Sequence, residues 1–336
     1  MFTSEMIDGS GVPLVENTAE YSREASRPVN CRCTAADVGE SCECRPRFSV
    51  VIPAYNEAAS IGDCLDSLLR QDFSEPYEII VVDNNSTDDT TPAAKARGVT
   101  VVREERQGVC WARQLGSELA AGEIIISTDA DTTYGRDWLS RIDREFRADP
   151  APVAAAGPFQ FVDAPWWGRV WTGALFGYVH AFSRATKRVP YVAAANIAFL
   201  KSAWPGYNTY ATQGGDELDL LRNLQARGRV AYMADNPVFT SSRRLSRGLV
   251  YNVFVTLFYY YALAYVLNRV MSRTMVGMAP AFRGGPSGKT ARPWIRVASA
   301  FGALIVVAAI FPYHHVIMHH LDAYHHGILR HFDIDM

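Results

Sequence analysis

Ile124-Ile125-Ile126-Ser127-Thr128-Asp129-Ala130-Asp131 decides the reading of this chain. Three β-branched residues in succession predict a short strand buried on both faces, and the run stops at two carboxylates one residue apart. In an open α/β sheet, ligands bind outside the carboxyl ends of the strands, so Asp129 and Asp131 are placed to face one. Residues i and i+2 of an extended segment point the same way. Two hard oxygen donors can then share a divalent cation and leave its other positions to a diphosphate. The plainer reading is a turn after a strand, where Asp is common for local hydrogen bonding.

Upstream of this run the same unit recurs. Phe48 to Pro53 predicts a strand stopped by proline, then a polar loop, Ala54-Tyr55-Asn56-Glu57, then a helix with Ile61, Leu65, Leu68 and Leu69 on one face. Glu78 to Val82 predicts a second strand, also ending in an acid, Asp83. Asn85 stands in its turn where a left-handed residue is needed. A helix from Thr90 to Arg97, a strand from Val99 to Val102 and a helix from Gly108 to Ala121 complete the alternation, the pattern of a parallel sheet with right-handed crossovers.

Downstream, Trp138, Leu139, Ile142 and Phe146 mark one face of a helix, followed by a strand from Val153 to Val162. Trp166, Trp167, Trp171, Phe176, Tyr178 and Phe182 fall at helical spacing, as core or as an acceptor-side element. Tyr191 to Leu200 reads as a strand. Gly214-Gly215-Asp216-Glu217-Leu218-Asp219 opens a helix carrying Leu218, Leu221 and Leu224 and ended by Gly228. Its acids either complement the helix dipole or carry chemistry.

The chain has 336 residues, 49% hydrophobic and 20% charged, with a net charge of -2. That is ample for a large core, and the balanced charge argues against a nucleic-acid binder. Of six cysteines, Cys31, Cys33, Cys42 and Cys44 crowd one polar stretch while Cys64 and Cys110 sit singly in expected helices, a pattern unlike an extracellular disulfide framework. Residues 1–46 lack an apolar signal segment and read as a disordered arm. Its cysteines are free thiols or, with spacing tighter than usual, a zinc knuckle.

With these residues laid out, residues 48–245 resemble a family 2 glycosyltransferase of the GT-A fold: a Rossmann-like, mostly parallel α/β sheet flanked by helices, here with C-terminal hydrophobic helices. Ser49 to Glu57 resembles the family's opening strand and nucleotide loop, and Val81 to Asp88 its second strand and acidic turn. Gly108 with Ala112-Arg113-Gln114 resembles its Gly and Ala-Arg-Asn helix, with Gln replacing Asn. Gly122-Glu123 through Asp131 resembles its metal motif. The resemblance implies inverting transfer from a nucleotide-diphosphate sugar, assisted by Mg²⁺ or Mn²⁺. It implies donor contacts at Pro53, Ala54, Tyr55, Asn56, Glu57, Asp83, Arg113 and Asp129, with Asp131 and Asp129 on the metal. The family's general base lies in a Glu-Asp pair; here the order is Asp216-Glu217, so either carboxylate is a candidate. The processive Gln-x-x-Arg-Trp motif is replaced by Ser241-Ser242-Arg243-Arg244-Leu245, which favours single-sugar transfer. Arg243 or Arg244 is a candidate diphosphate partner or part of a membrane-proximal charge cluster.

Residues 246–336 read as membrane-associated. Leu249 to Leu267, about 19 residues, and Val297 to Tyr313, about 17, carry no charge. The arginines between them oppose two simple spans, so the first suits an interfacial or packed helix and the second a span or a buried helix. The His-rich tail from His314 to His331 has an apolar stripe that suits an interfacial helix better than a metal site. The expectation is an enzyme at the cytoplasmic face of a membrane with a lipid-linked or saccharide cell-envelope acceptor. A sugar-1-phosphate nucleotidyltransferase, whose glycine-rich loop is missing after the first strand, and a non-catalytic nucleotide-sugar-binding membrane scaffold are the alternatives.

Overall fold

The computed structural model describes residues 28–30, 45–209, 216–252, 254 and 259. The chain divides into two compact units, Met1–Thr209 with Gly215–Arg243, and Tyr210–Gly214 with Arg244–Met336. The first is a three-layer α/β structure. Its chain order is β1 (Phe48–Ala54), α1 (Ile61–Leu69), β2 (Tyr77–Asp83), α2 (Thr90–Lys95), β3 (Thr100–Arg103), α3 (Val109–Leu119), β4 (Ile124–Ser127), β5 (Thr132–Tyr134) and α4 (Trp138–Phe146). There follow β6 (Ala154–Ala156), β7 (Phe159–Val162), α5 (Trp166–Thr186), β8 (Ile197–Leu200), α6 (Asp216–Arg227), β9 (Val230–Tyr232) and β10 (Val238–Ser241).

The main sheet runs β3-β2-β1-β4-β8-β6-β9. β3, β2, β1 and β4 are mutually parallel, as the alternation predicts, while β8 is antiparallel to both β4 and β6. The isoleucine run is fully buried on both faces, pairing Phe48–Val51 on one side and Ile197–Leu200 on the other. One apolar layer packs α1 and α4 under the sheet through Ile61, Leu65, Leu68, Trp138, Leu139 and Ile142. The layer on the opposite side gathers Val51, Val82, Ile125, Phe199 and Leu221. Cys64 and Cys110 are buried in α1 and α3, and burial pushes the Cys64 thiol well above its ordinary pKa.

The structure corrects several expected boundaries. β1 continues through Pro53 to Ala54, since proline forfeits only its own donor. The strand expected over Val153–Val162 is two strands in different sheets: β6 joins the main sheet, while Gly157-Pro158 turns the chain so that β7 joins β5 and β10. A Cβ at Gly157 would lie 2.5 Å from both the Asn196 amide nitrogen and the Asn236 carbonyl oxygen, so this turn admits no side chain. In place of a strand from Tyr191, a 3-10 turn at Ala194–Asn196 precedes β8. On α6 the buried leucines are Leu220, Leu221 and Leu224, with Leu220 taking the core position expected of Leu218.

In the N-terminal arm, Val29 pairs antiparallel with Tyr77. The cysteine cluster, the His-rich tail, most of residues 249–267 and all of residues 297–313 lie outside the described residues. Of the second unit, the described part includes one helical turn, Gly248–Tyr251, with the Arg247 guanidinium 5.8 Å from the Tyr251 ring centre. Among the described residues no helix is long and apolar enough to cross a membrane.

Candidate functional site

The site is assembled at the carboxyl ends of β1, β2 and β4. Because these strands are parallel and adjacent, the loops after Ala54, Asp83 and Ser127 emerge on one edge of the sheet. The first two loops are laced together. Asn56, at φ +53°, donates its amide to Ser86 Oγ (2.9 Å) and accepts from the Thr87 amide (2.7 Å). The Glu57 amide reaches Thr90 Oγ1 at 2.7 Å, and the Ala58 amide reaches Asp88 at 3.1 Å. Asp83 accepts from the Ser86 amide at 3.0 Å, closing the turn that needs the left-handed Asn85, at φ +68°.

Asn84 ties in the loop before α3. Its amide nitrogen donates to the Glu104 and Arg106 carbonyls, and its oxygen accepts from the Gly108 amide at 2.7 Å. In the sequence Asn84 stands within a polar turn; burial, which it shares with Asp83, separates it from Asn85 to Asp89.

α3 carries Arg113 into the site. A Cβ at Gly116 would stand 2.4 Å from Val51 Cγ1, so glycine there lets α3 lie against β1 and brings the buried Arg113 guanidinium to Asp129. The Arg113 Nη2 to Asp129 Oδ1 distance is 2.8 Å.

Asp131 is held from the other side. β10 runs antiparallel to β5 with Thr240 opposite Thr132, and the Ser241 amide donates to the Asp131 carbonyl at 3.2 Å. Thr240 Oγ1 donates to Asp131 Oδ1 at 3.2 Å, and Arg243 Nη2 lies 2.9 Å from Asp131 Oδ2. Arg243 also forks onto buried Glu57, Nη1 to Oε2 at 2.7 Å and Nη2 to Oε1 at 2.6 Å. The sequence marks Arg243 as a candidate phosphate partner but gives no sign of its pairing with Glu57, 186 positions away. β10, the four-residue strand that leads into Arg243, shows in the sequence only a Val-Phe-Thr pattern.

The donor set suits a hard cation. Asp129 and Asp131 offer carboxylate oxygens alone, and among the described residues no group of three or more His, Cys, Asp or Glu side chains forms a self-sufficient metal site. A Mg²⁺ or Mn²⁺ ion held by one or two carboxylates ordinarily completes its shell with substrate phosphate and water. Glu217 stands in the first turn of α6, which Leu220, Leu221 and Leu224 anchor to the core; Asp216 is the helix's first residue.

α5 departs from the simpler expectation for its aromatics. Gly168, Thr172, Phe176 and Val179 face the core, while Trp166, Trp171 and Tyr178 are 71%, 51% and 57% exposed.

Residues 49–204 match the model of the family described as Glycosyl transferase family 2. Over 103 residues, 29% of this chain and 34% of the relative, the chain is 36% identical to the glycosyltransferase AglE of Haloferax volcanii. Over 104 residues, 29% of this chain and 40% of the relative, it is 36% identical to a PGL/p-HBAD biosynthesis glycosyltransferase of Mycobacterium bovis. The matched stretches therefore span little more than a third of those relatives' lengths. The mannosyltransferase PcManGT of Pyrobaculum calidifontis, solved with GDP-Man and Mn²⁺, shares the fold at a TM-score of 0.52 and 23% identity, over 79% of this chain and 76% of that one. The α/β sheet, its mixed strand order and its flanking helices are those of a GT-A-like fold. Residues 49–204, a little under half of the chain, are thus the part that is similar to glycosyl transferase family 2.

Proposed function

We propose that this protein is an inverting glycosyltransferase that moves one sugar from a nucleotide-diphosphate donor to a lipid-linked or saccharide cell-envelope acceptor at the cytoplasmic face of a membrane. The observation that carries the reading is the convergence, on one sheet edge, of the Pro53–Glu57 loop, Asp83 and the Asp129/Asp131 pair, with arginines set against both acids of that pair. In this reading the interlocked loops after β1 and β2 hold the nucleoside, with Pro53, Ala54, Tyr55 and Asn56 lining it and Asp83 accepting from a base N–H. Arg113, paired with Asp129 at 2.8 Å, holds it oriented on the donor side.

Asp131, with Asp129, would hold Mg²⁺ or Mn²⁺, which when bound supplies positive charge against the leaving diphosphate. Glu217, or its neighbour Asp216, would take the proton of an acceptor hydroxyl as its oxygen attacks the anomeric carbon opposite the diphosphate. Membrane association is supported by the charge-free stretches 249–267 and 297–313 and by the exposed apolar face of α5. Thermal-shift titration with UDP, GDP, CDP and dTDP sugars, with Mn²⁺ and with chelator, tests the donor reading. A metal-dependent rise for one nucleotide, lost in Asp131→Ala, is expected; no rise with any donor would remove it.

A further inference from the structure

We infer that Arg243 occupies Asp131 in place of the divalent ion, so that a cation binds there only as the guanidinium withdraws onto Glu57. The inference rests on the proposed metal role of Asp131. Its basis is a three-membered charge cluster drawn from distant parts of the chain: Glu57 in the loop after β1, Asp131 after β4 and Arg243 after β10. Nη2 is shared, 2.6 Å from Glu57 Oε1 and 2.9 Å from Asp131 Oδ2, while Nη1 bonds Glu57 at 2.7 Å.

Glu57 and Asp131 are only 6% and 14% exposed, so each needs a cation or strong donors to remain ionised there. One guanidinium serves both. The remaining Asp131 oxygen accepts from Thr240. A Mg²⁺ or Mn²⁺ ion held by Asp131 would draw on the same carboxylate that Nη2 now contacts. A divalent ion and a guanidinium within about 4 Å repel strongly at any dielectric a half-buried site can have. The two cations therefore compete for Asp131.

The fork on Glu57 gives Arg243 somewhere to stay. Releasing Asp131 gives up an ion-pair contact but keeps the fork on Glu57, and Ser60 Oγ, 2.8 Å from Glu57 Oε2, steadies that carboxylate. A donor diphosphate reverses the balance, because its charge accommodates both cations at once. Metal affinity should then be low for the protein alone and rise with nucleotide diphosphate, and by linkage nucleotide affinity should rise equally with metal.

The test is Mn²⁺ binding to the full chain by titration calorimetry, with Mn²⁺ alone as the probe. Arg243→Gln should bind Mn²⁺ about tenfold more tightly than the unaltered protein, and Asp131→Asn should remove binding from both backgrounds. If Arg243→Gln fails to fold, as its unfolding midpoint would report, Arg243→Lys is read in the same way. It keeps the charge but cannot fork across two carboxylates, and should tighten binding by about threefold. Binding that is lost in Asp131→Asn but unchanged or weaker in the Arg243 variants would overturn the inference and leave the metal reading standing. Absence of Mn²⁺ binding in every form would overturn both.

Discussion

Arg113 Nη2 lies 2.8 Å from Asp129 Oδ1, joining a guanidinium that is 5% exposed to a carboxylate that is 37% exposed. The asymmetry sets what each loss does. Removing Asp129 strands a charge inside the protein, whereas removing Arg113 leaves a carboxylate that water still reaches. Asp129→Ala should therefore cost about 1–3 kcal/mol in urea unfolding and Arg113→Ala rather less on the electrostatic account, the exposed partner being screened. A double-mutant cycle should return a coupling of about 1 kcal/mol; additive losses would mean the two side chains are placed independently.

Asn196 offers a test of the scaffold with no part in the chemistry. Fully buried, it accepts from Trp138 Nε1 at 3.1 Å and donates to the carbonyls of Pro158 and Asn236 at 3.0 and 2.9 Å. It thus fastens α4, the β6–β7 turn and the approach to β10. Asn196→Ala should destabilise by about 2–4 kcal/mol, since it leaves several buried groups without partners.

Asn196→Asp carries a pH signature. A carboxylate there would face two carbonyl oxygens at 3.0 and 2.9 Å, so its folded pKa should be raised above the unfolded value. Whatever stability the protonated acid retains is then present below the unfolded pKa and lost as pH rises through the folded one. Urea unfolding should show this variant's deficit widening between about pH 4 and pH 7.

Asp129, Arg113 and Asn196 also show what is legible in the sequence. Asp129 and Arg113 each stand in a local pattern, an acid ending an apolar strand and a basic residue on a helix, and the parallel order of β1, β2 and β4 follows from the alternation of strands and helices. Nothing local announces Asn196, whose role depends on three segments 38 to 58 positions away. The same holds for the small sheet: β5, β7 and β10 have only three or four residues each, too few to fix a periodicity, and β10 pairs with partners 79 positions (Phe159) and 104 positions (Tyr134) before Val238. The neighbours of Glu57 place it in a nucleotide loop, and its bond to Arg243 emerges only once β10 is beside β5.

The Asp216-Glu217 order can be resolved by kinetics. If the acceptor group is a hydroxyl, the residue acting as base must remove its proton, and Glu217→Gln should lower kcat by about 10²–10⁴-fold while leaving donor binding by thermal shift unaltered. Asp216→Asn should cost far less. A polyprenyl phosphate acceptor is already anionic, so mild effects of both substitutions with a phosphate acceptor would identify the acceptor class and remove the need for a base.

The exposed face of α5 makes the membrane reading measurable. Trp166, Val170, Trp171 and Tyr178 are exposed along with Gly173, Ala174, Gly177 and Ala181, while Arg184, Lys187 and Arg188 follow at the helix's carboxyl end. Large aromatics beside a strip of small residues, with exposed Arg169 near one end and Arg184, Lys187 and Arg188 at the other, suit the boundary between acyl chains and anionic headgroups. Trp166→Ser with Trp171→Ser removes two indoles without touching the buried side of the helix, so the unfolding midpoint should move little. Sedimentation with vesicles of mixed phosphatidylcholine and phosphatidylglycerol should fall by about tenfold, and raising the salt should weaken the unaltered protein's binding through its basic end. Equal sedimentation of both proteins would leave any membrane contact to residues outside α5.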